Sequence, residues 1–298
     1  MRPLELLNLI MLGFLCVLVP FTFRDRPGNW PLLVMYAAGG GLLFVYQRVR
    51  VPWFDFPKRF RQVYPVLYIA VIFDSLVHVV PHVHTWRADA LLRRIDRMML
   101  GVDPTIYLER YLGPVLVELF TYVYILYFVL PFLLVWGLWR ERKLTEITHW
   151  ACLITIALYS NYVLYIVFPA VGPRLHITHS VDKLQGAFMA NSLIYLLNHL
   201  ESNKFDVFPS AHVNAALVTL YGFARFYKKF TVPVAIAVLG IMVSTVYLRY
   251  HYVIDVVAGV ALAGIAVAVG ELYYRLWRGL PEVERTQPLG EELAHAAR

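Results

Sequence analysis

Apolar runs long enough to cross a bilayer recur along this chain, and no other feature restricts its fold as much. Crossing ~30 Å of hydrocarbon takes about 17–25 mostly apolar residues in a helix. Only helices or closed barrels satisfy their own backbone polar groups in that medium. Eight such runs are read at about 4–23, 31–47, 65–83, 114–138, 146–168, 208–226, 231–249 and 253–275. Of the 298 residues 59% are hydrophobic and only 16% charged, where a soluble domain averages about 25% charged. The expected fold class is therefore all-α: a polytopic integral membrane helical bundle with about six core spans plus two N-terminal spans. The first run reads as an anchor, because it lacks a small-residue cleavage motif and further spans follow it.

Basic residues orient the bundle. Of the 27 Lys and Arg, 16 fall on the side that carries the N-terminus, and the positive-inside rule then makes both termini cytoplasmic. The net charge of +7 reads as membrane topology, and nothing in its distribution calls for nucleic acid. Cys16 and Cys152 both fall inside spans, so no disulfide framework is expected. The expected division is an N-terminal hairpin with a basic cytoplasmic loop (1–63), a membrane domain carrying the chemistry (64–280) and a polar cytoplasmic tail (281–298).

Two short segments carry that chemistry: Phe208-Pro209-Ser210-Ala211-His212 and His251-Tyr252-Val253-Ile254-Asp255. A His and an Asp four residues apart share a helix face, so the carboxylate can orient the imidazole as it does in a nucleophile or general base. His212 supplies a second imidazole able to protonate a leaving group. Pro209 and Ser210 read as a helix start, where free N–H groups and the helix dipole favour an anion. Pro suits the first helical turn because its missing N–H is not needed there. In Val171-Gly172-Pro173-Arg174, Arg174 offers a planar fork to phosphate oxygens and Gly172 lets backbone approach closely. Arg249 is a second candidate cation, but it lies off the His–Asp face unless the helix breaks nearby. With eight spans, His212, His251 and Arg174 all fall at the extracytoplasmic face.

These residues resemble the type 2 phosphatidic acid phosphatase superfamily, closely over about 170–260 and loosely from about 65 onward. That superfamily has a basic motif, then Pro-Ser-x-His, then Ser-Arg-x5-His-x3-Asp. Pro209-Ser210-Ala211-His212 matches the second, and Ser244, His251 and Asp255 match the third. Thr245 stands where the phosphatases usually have a phosphate-binding Arg, and Ser244-Thr245-Val246-Tyr247-Leu248 before His251-Tyr252 is similar to the inositol phosphorylceramide synthase-like branch. Gly172-Pro173-Arg174 stands in for a Lys-x6-Arg-Pro pattern. The resemblance implies that His251 attacks phosphorus and forms a phosphohistidine, that Asp255 holds its ring, and that His212 protonates the departing oxygen and then deprotonates the acceptor. It further implies a phosphate site drawn from Arg174, Ser210, Gly172, Arg249 and Thr245, a membrane lipid substrate, and no metal or other cofactor. Water as acceptor makes a phosphatase; an alcohol or head group makes a transferase.

The remaining features read more plainly. Residues 47–63 look like an interfacial aromatic and cationic loop, 86–112 like an amphipathic helix on the outer surface, and 186–200 like a second surface helix. His82 with His84, and His176 with His179, have zinc-like spacing, but no cysteine or carboxylate cluster joins them, so solvated interfacial histidines are expected. Tyr122, Tyr124, Tyr127 and Phe128 read as packing or belt residues. Asp74 and Glu118 lie inside apolar spans without an assignable role. Two other classes stay open: a transporter, which would place its polar groups near the midplane, and a non-catalytic lipid-binding protein.

Overall fold

The computed structural model describes residues 2–48, 66–83, 85–181, 184–200 and 203–279. The basic part of the 47–63 loop, His84 and the tail from Pro281 lie outside these residues. Among the described residues there is no strand, and the chain is an all-α bundle. Its helices are α1 (Pro3–Thr22), α2 (Trp30–Arg48), α3 (Leu67–Ser75), α4 (Asp89–Leu100), α5 (Pro114–Arg140), α6 (Leu144–Val167), α7 (Ala190–Leu200), α8 (Ala211–Phe226), α9 (Thr231–Tyr247) and α10 (Val253–Gly279). Among the described residues six helical segments are long and apolar enough to cross a membrane, which makes this a multi-pass membrane protein.

Two of the eight expected spans are shorter than the hydropathy implied. The third run folds as α3, a 3-10 turn over Leu76–His78 and a single turn over Val80–Val83. Pro81 cannot donate a backbone hydrogen bond and interrupts the helix; Asn29 Nδ2 donates to the carbonyl of His78, 2.8 Å away. The sixth run gives up its first three residues, so α8 keeps 16.

α8 is the hub, in contact with α5, α6, α9 and α10. Its buried face includes Ala211, Ala215, Ala216 and Gly222, and small residues let helix backbones approach closely in lipid. At Gly259 of α10 a Cβ would sit 2.8 Å from the Ser210 carbonyl oxygen, so this crossing tolerates no side chain. The hairpin α1–α2 is joined to the bundle where α1 packs on α6, with Leu15 and Val19 in one core with Tyr162 and Tyr165.

The amphipathic stretch forms α4, ended by Gly101 in the left-handed region at φ 75°, where glycine carries no Cβ penalty. Asp103 then folds back to accept from both Arg93 (2.9 and 2.8 Å) and Arg97 (3.0 and 2.5 Å). The Arg93 hydrogen bond, followed by that of Arg97, holds the Asp103 carboxyl down at about 2.

Candidate active site

The chain turns three times at one end of the bundle, and the turns meet. The first is Phe208–Ser210. Helix α8 begins at Ala211, after the Pro209–Ser210 pair that the sequence reading took as its start, with Ser210 as N-cap: its hydroxyl accepts from the Val213 N–H at 3.4 Å, a common way to satisfy a free helix-start donor. Pro209 therefore lies just before the helix, and its carbonyl accepts from Asn161 Nδ2 at 2.8 Å. Asn214 Nδ2 in turn donates to Asn161 Oδ1 at 2.6 Å. This buried amide pair bridges α6 and α8 and sets the height of His212.

The second turn is Leu248–Tyr252. Helix α9 stops at Tyr247, and Arg249 takes the left-handed conformation at φ 66°, uncommon for a residue with a side chain. The Thr245 carbonyl then accepts from the N–H groups of both Tyr250 (2.9 Å) and His251 (3.1 Å). The third turn, Ala170–Arg174, lies against the second. Gly172 has φ 81°, and a Cβ there would meet the Tyr250 carbonyl oxygen at 2.7 Å; the Arg174 N–H donates to the Arg249 carbonyl at 2.9 Å.

Carboxylates hold these turns in place. Asp89, at the start of α4, accepts from the N–H groups of Val171 and Gly172 (3.1 and 2.9 Å) and from the Tyr252 hydroxyl (3.2 Å). Asp96, two turns further on, accepts from the N–H groups of Val253 and Ile254 at 2.9 and 2.8 Å. Glu118 accepts from those of Phe188, Met189 and Ala190 at 2.8–3.1 Å. Asp96 and Glu118 thus meet otherwise free helix-start donors and complement the helix dipole, whereas Asp89 ties down the backbone just before Pro173. Glu118 has a clear role in seating α7, whereas Asp74 is exposed at the end of α3.

At the centre stand His212, His251 and Asp255, all buried. His251 Nδ1 lies 3.5 Å from Asp255 Oδ2, an ion-pair distance rather than a hydrogen bond. Asp255 Oδ2 also accepts from the Tyr252 N–H at 2.7 Å, and the Asp255 carbonyl accepts from the Ser210 N–H at 3.0 Å. On the other side His251 Nε2 lies 3.0 Å from His212 Nδ1. His212 Nε2 lies 2.5 Å from the Tyr124 hydroxyl. The result is one continuous array, Asp255–His251–His212–Tyr124. Burial holds the His251 imidazole well below its ordinary pKa, so the ring is neutral at pH 7 and keeps a lone pair for attack.

The candidate phosphate-site residues divide. Arg174 and Arg249 line a cavity of 540 Å³, the more polar of two beside Tyr250, together with Asn191, Asn198 and apolar residues such as Ile194 and Leu248. The Arg174 guanidinium lies 4.5 Å over the Tyr250 ring and donates to Asn198 Oδ1. The helix break that Arg249 required does occur, but its guanidinium donates to the Val181 carbonyl (2.6 Å) and to Glu109 (3.2 Å). Its charge is therefore already paired. Gly172 directs its N–H at Asp89, the Ser210 N–H donates to the Asp255 carbonyl while its hydroxyl accepts from Val213, and the Thr245 hydroxyl donates to the Met242 carbonyl at 2.8 Å. These three shape the turns, and none is among the residues that line the cavity.

A second cavity, of 490 Å³, opens on the opposite side of Tyr250. It runs between α3, α5, α6 and α8 from His212 and Tyr124 down to Pro131 and Trp150, and is mainly apolar. Along α6 from Tyr162 to Trp150 this is about 18 Å of helix.

Tyr124 was read as a packing residue; it is 2% exposed and bonded to His212. The braces Asp89 and Asp96, and the Asn161–Asn214 pair, also escaped the sequence reading. A buried Asn pair in apolar helices is the one signal that could have been found, since intramembrane polar groups seldom occur without a partner. Of the candidate histidines, His179 is buried against Thr105 (3.2 Å) and His176 is exposed. Among the described residues no three His, Cys, Asp or Glu side chains converge to hold a metal ion.

Fold and site together define a multi-pass helical membrane protein with a His–His–Asp array at one end of its bundle, between a polar and an apolar cavity. The family model of the PAP2 superfamily matches residues 90–269, from α4 through most of α10, and the chain belongs to that superfamily. It is similar to a PA-phosphatase related-family protein of Dictyostelium discoideum, at 25% identity over 140 residues. That alignment covers 46% of this chain and 25% of the relative, so the chain spans about a quarter of the curated relative it matches. No solved structure matches.

Proposed function

We propose that this protein is a lipid phosphatase or phosphotransferase that works through a phosphohistidine on His251. The observation that carries the reading is the buried array Asp255–His251–His212, whose His212 lines an apolar cavity. The His251 Nε2 lone pair forms the N–P bond while the P–O bond to the leaving alcohol breaks. His212 gives that oxygen its proton and then takes one from the acceptor O–H, whose oxygen displaces the histidine. Asp255 keeps the Nδ1–H tautomer of His251 and offsets the positive charge that develops on the ring. Arg174 is the cation best placed to hold phosphate oxygens from the polar cavity, and the apolar cavity takes a hydrocarbon chain of the substrate.

The Ser244-Thr245 variant of the third motif supports the inositol phosphorylceramide synthase-like branch, with an alcohol as acceptor; strict hydrolysis is the alternative. The basic-residue distribution supports cytoplasmic termini and an extracytoplasmic site. Purified protein given a panel of lipid phosphates and phospholipids, with and without inositol or other alcohols, should release phosphate in the one case and form a new lipid in the other. Rapid quenching should trap acid-labile phosphate on the wild-type protein and none on a folded His251→Ala variant. Wild-type turnover in that variant would falsify the nucleophile assignment.

A further inference from the structure

Tyr124 has no part in the reaction just described, yet its hydroxyl oxygen lies 2.5 Å from His212 Nε2. Its ring stacks on Tyr250 with centroids 4.9 Å apart and packs at the same distance from the His212 ring. His212 Nδ1 is the nitrogen that faces His251, at 3.0 Å. The two ring nitrogens of His212 therefore point to different partners, one to the reacting groups and one to Tyr124.

That division matters because His212 must act first as an acid and then as a base through the same atom. A neutral imidazole carries a single N–H, and the hydrogen bond made at one nitrogen decides which nitrogen holds it. For Nδ1 to give a proton and later take one, Nε2 must stay protonated throughout. A phenol oxygen can accept that Nε2–H. Unlike a carboxylate it brings no charge, so it does not fix His212 in the imidazolium form, which would make a poor base in the second step.

We propose that Tyr124 is a positioning residue for His212: its oxygen accepts the Nε2–H and thereby keeps Nδ1 as the working nitrogen in both half-reactions. The assignment rests on the phosphohistidine reading. In the first step the His212 Nδ1–H⁺ proton passes to the leaving oxygen as the His251 Nε2–P bond forms and the P–O bond breaks. His212 is left neutral, its Nε2–H on Tyr124. In the second step the acceptor O–H returns a proton to Nδ1 as its oxygen takes phosphorus from His251. Tyr124 keeps its own proton in both.

Tyr124→Phe retains the ring, its stacking and nearly all its volume, so the fold should survive. The measurement is the single-turnover rate of phosphohistidine formation with two donors. One is a long-chain alkyl phosphate, whose alkoxide needs a proton in order to leave. The other is nitrophenyl phosphate, whose nitrophenolate departs without one. With the alkyl donor the variant should be slower by about 10–100-fold, a fraction of the roughly 10²–10⁴ that general acid catalysis supplies; with the nitrophenyl donor it should stay within about threefold. Equal losses on both donors would mean a structural role, and no loss on either would mean no role; both overturn the assignment. In a His212→Ala background Tyr124→Phe should add nothing, since residues that act through one another are not additive; a further loss there also sinks the idea. If His251 labels normally and only these Tyr124 results fail, the fault lies with Tyr124. If the wild type never labels, the underlying reaction fails and the assignment goes with it.

Discussion

The two ends of this bundle are built from the same kinds of helix and handle charge in opposite ways. At the site end Asp89, Asp96 and Glu118 are buried, each accepting backbone N–H groups from a segment distant in sequence. At the other end the turns between α5 and α6 and between α8 and α9 are short and basic, and Glu141 and Lys143 form an exposed pair 2.7 Å apart over the first of them. A charge turned toward water does little for a fold, whereas a buried acceptor that serves several donors fixes the position of every one of them. Buried charge is thus concentrated where irregular backbone has to be held near the reacting groups.

The sharpest way to break this comparison is to ask which end faces which compartment. A cysteine introduced near Ser180 should react with an impermeant thiol reagent in intact cells, and one near Thr145 should not; the reverse pattern would invert the topology. Next in size comes Asp255→Asn. It keeps the contact with the ring but favours the wrong tautomer, a change that costs roughly 10⁴ in a serine hydrolase triad, so a loss in kcat of at least ~10² is expected here. An Asn variant within twofold of wild type would make Asp255 structural. Asp89→Ala should follow. It leaves two buried N–H groups and the Tyr252 hydroxyl without their acceptor, at a cost of about 2 kcal/mol in denaturation, and loosens the turn carrying Arg174. Unchanged stability there would show that the braces are dispensable. Smallest of all is Lys143→Ala, for which neither melting temperature nor turnover should move, because the pair it breaks is exposed.

The fold class was legible because the bilayer imposes its length on the sequence directly, and six of the long helices are where hydropathy placed them. The third and sixth runs misled for local reasons, a proline in one and an active-site turn in the other, neither of which alters average hydropathy. At the site, His212, His251 and Asp255 were readable because each stands in a short motif with helical spacing. The supports were not: Asp89 lies more than 80 residues from the Gly172 it holds, and Tyr124 is 88 residues from His212, so no local pattern joins either pair. Gly172, Ser210 and Thr245 sit in the turns the sequence placed them in, where hydrogen bonds to the fold already occupy their backbone or hydroxyl groups. A sequence shows which groups are present, but it does not show which donors the fold has already committed.

Helix α8 has a further consequence. Its 16 residues span about 24 Å, short of the ~30 Å hydrocarbon layer; on the proposed topology, with Arg225 at the opposite membrane surface, the imidazole at its start lies recessed below the level of the head groups. A lipid can reach it by drifting sideways and dipping a few ångströms, without leaving the leaflet. A catalyst recessed in this way senses substrate as a mole fraction in the plane of the membrane. Its rate should follow surface dilution by inert lipid or detergent at constant total substrate, with bulk concentration of little account.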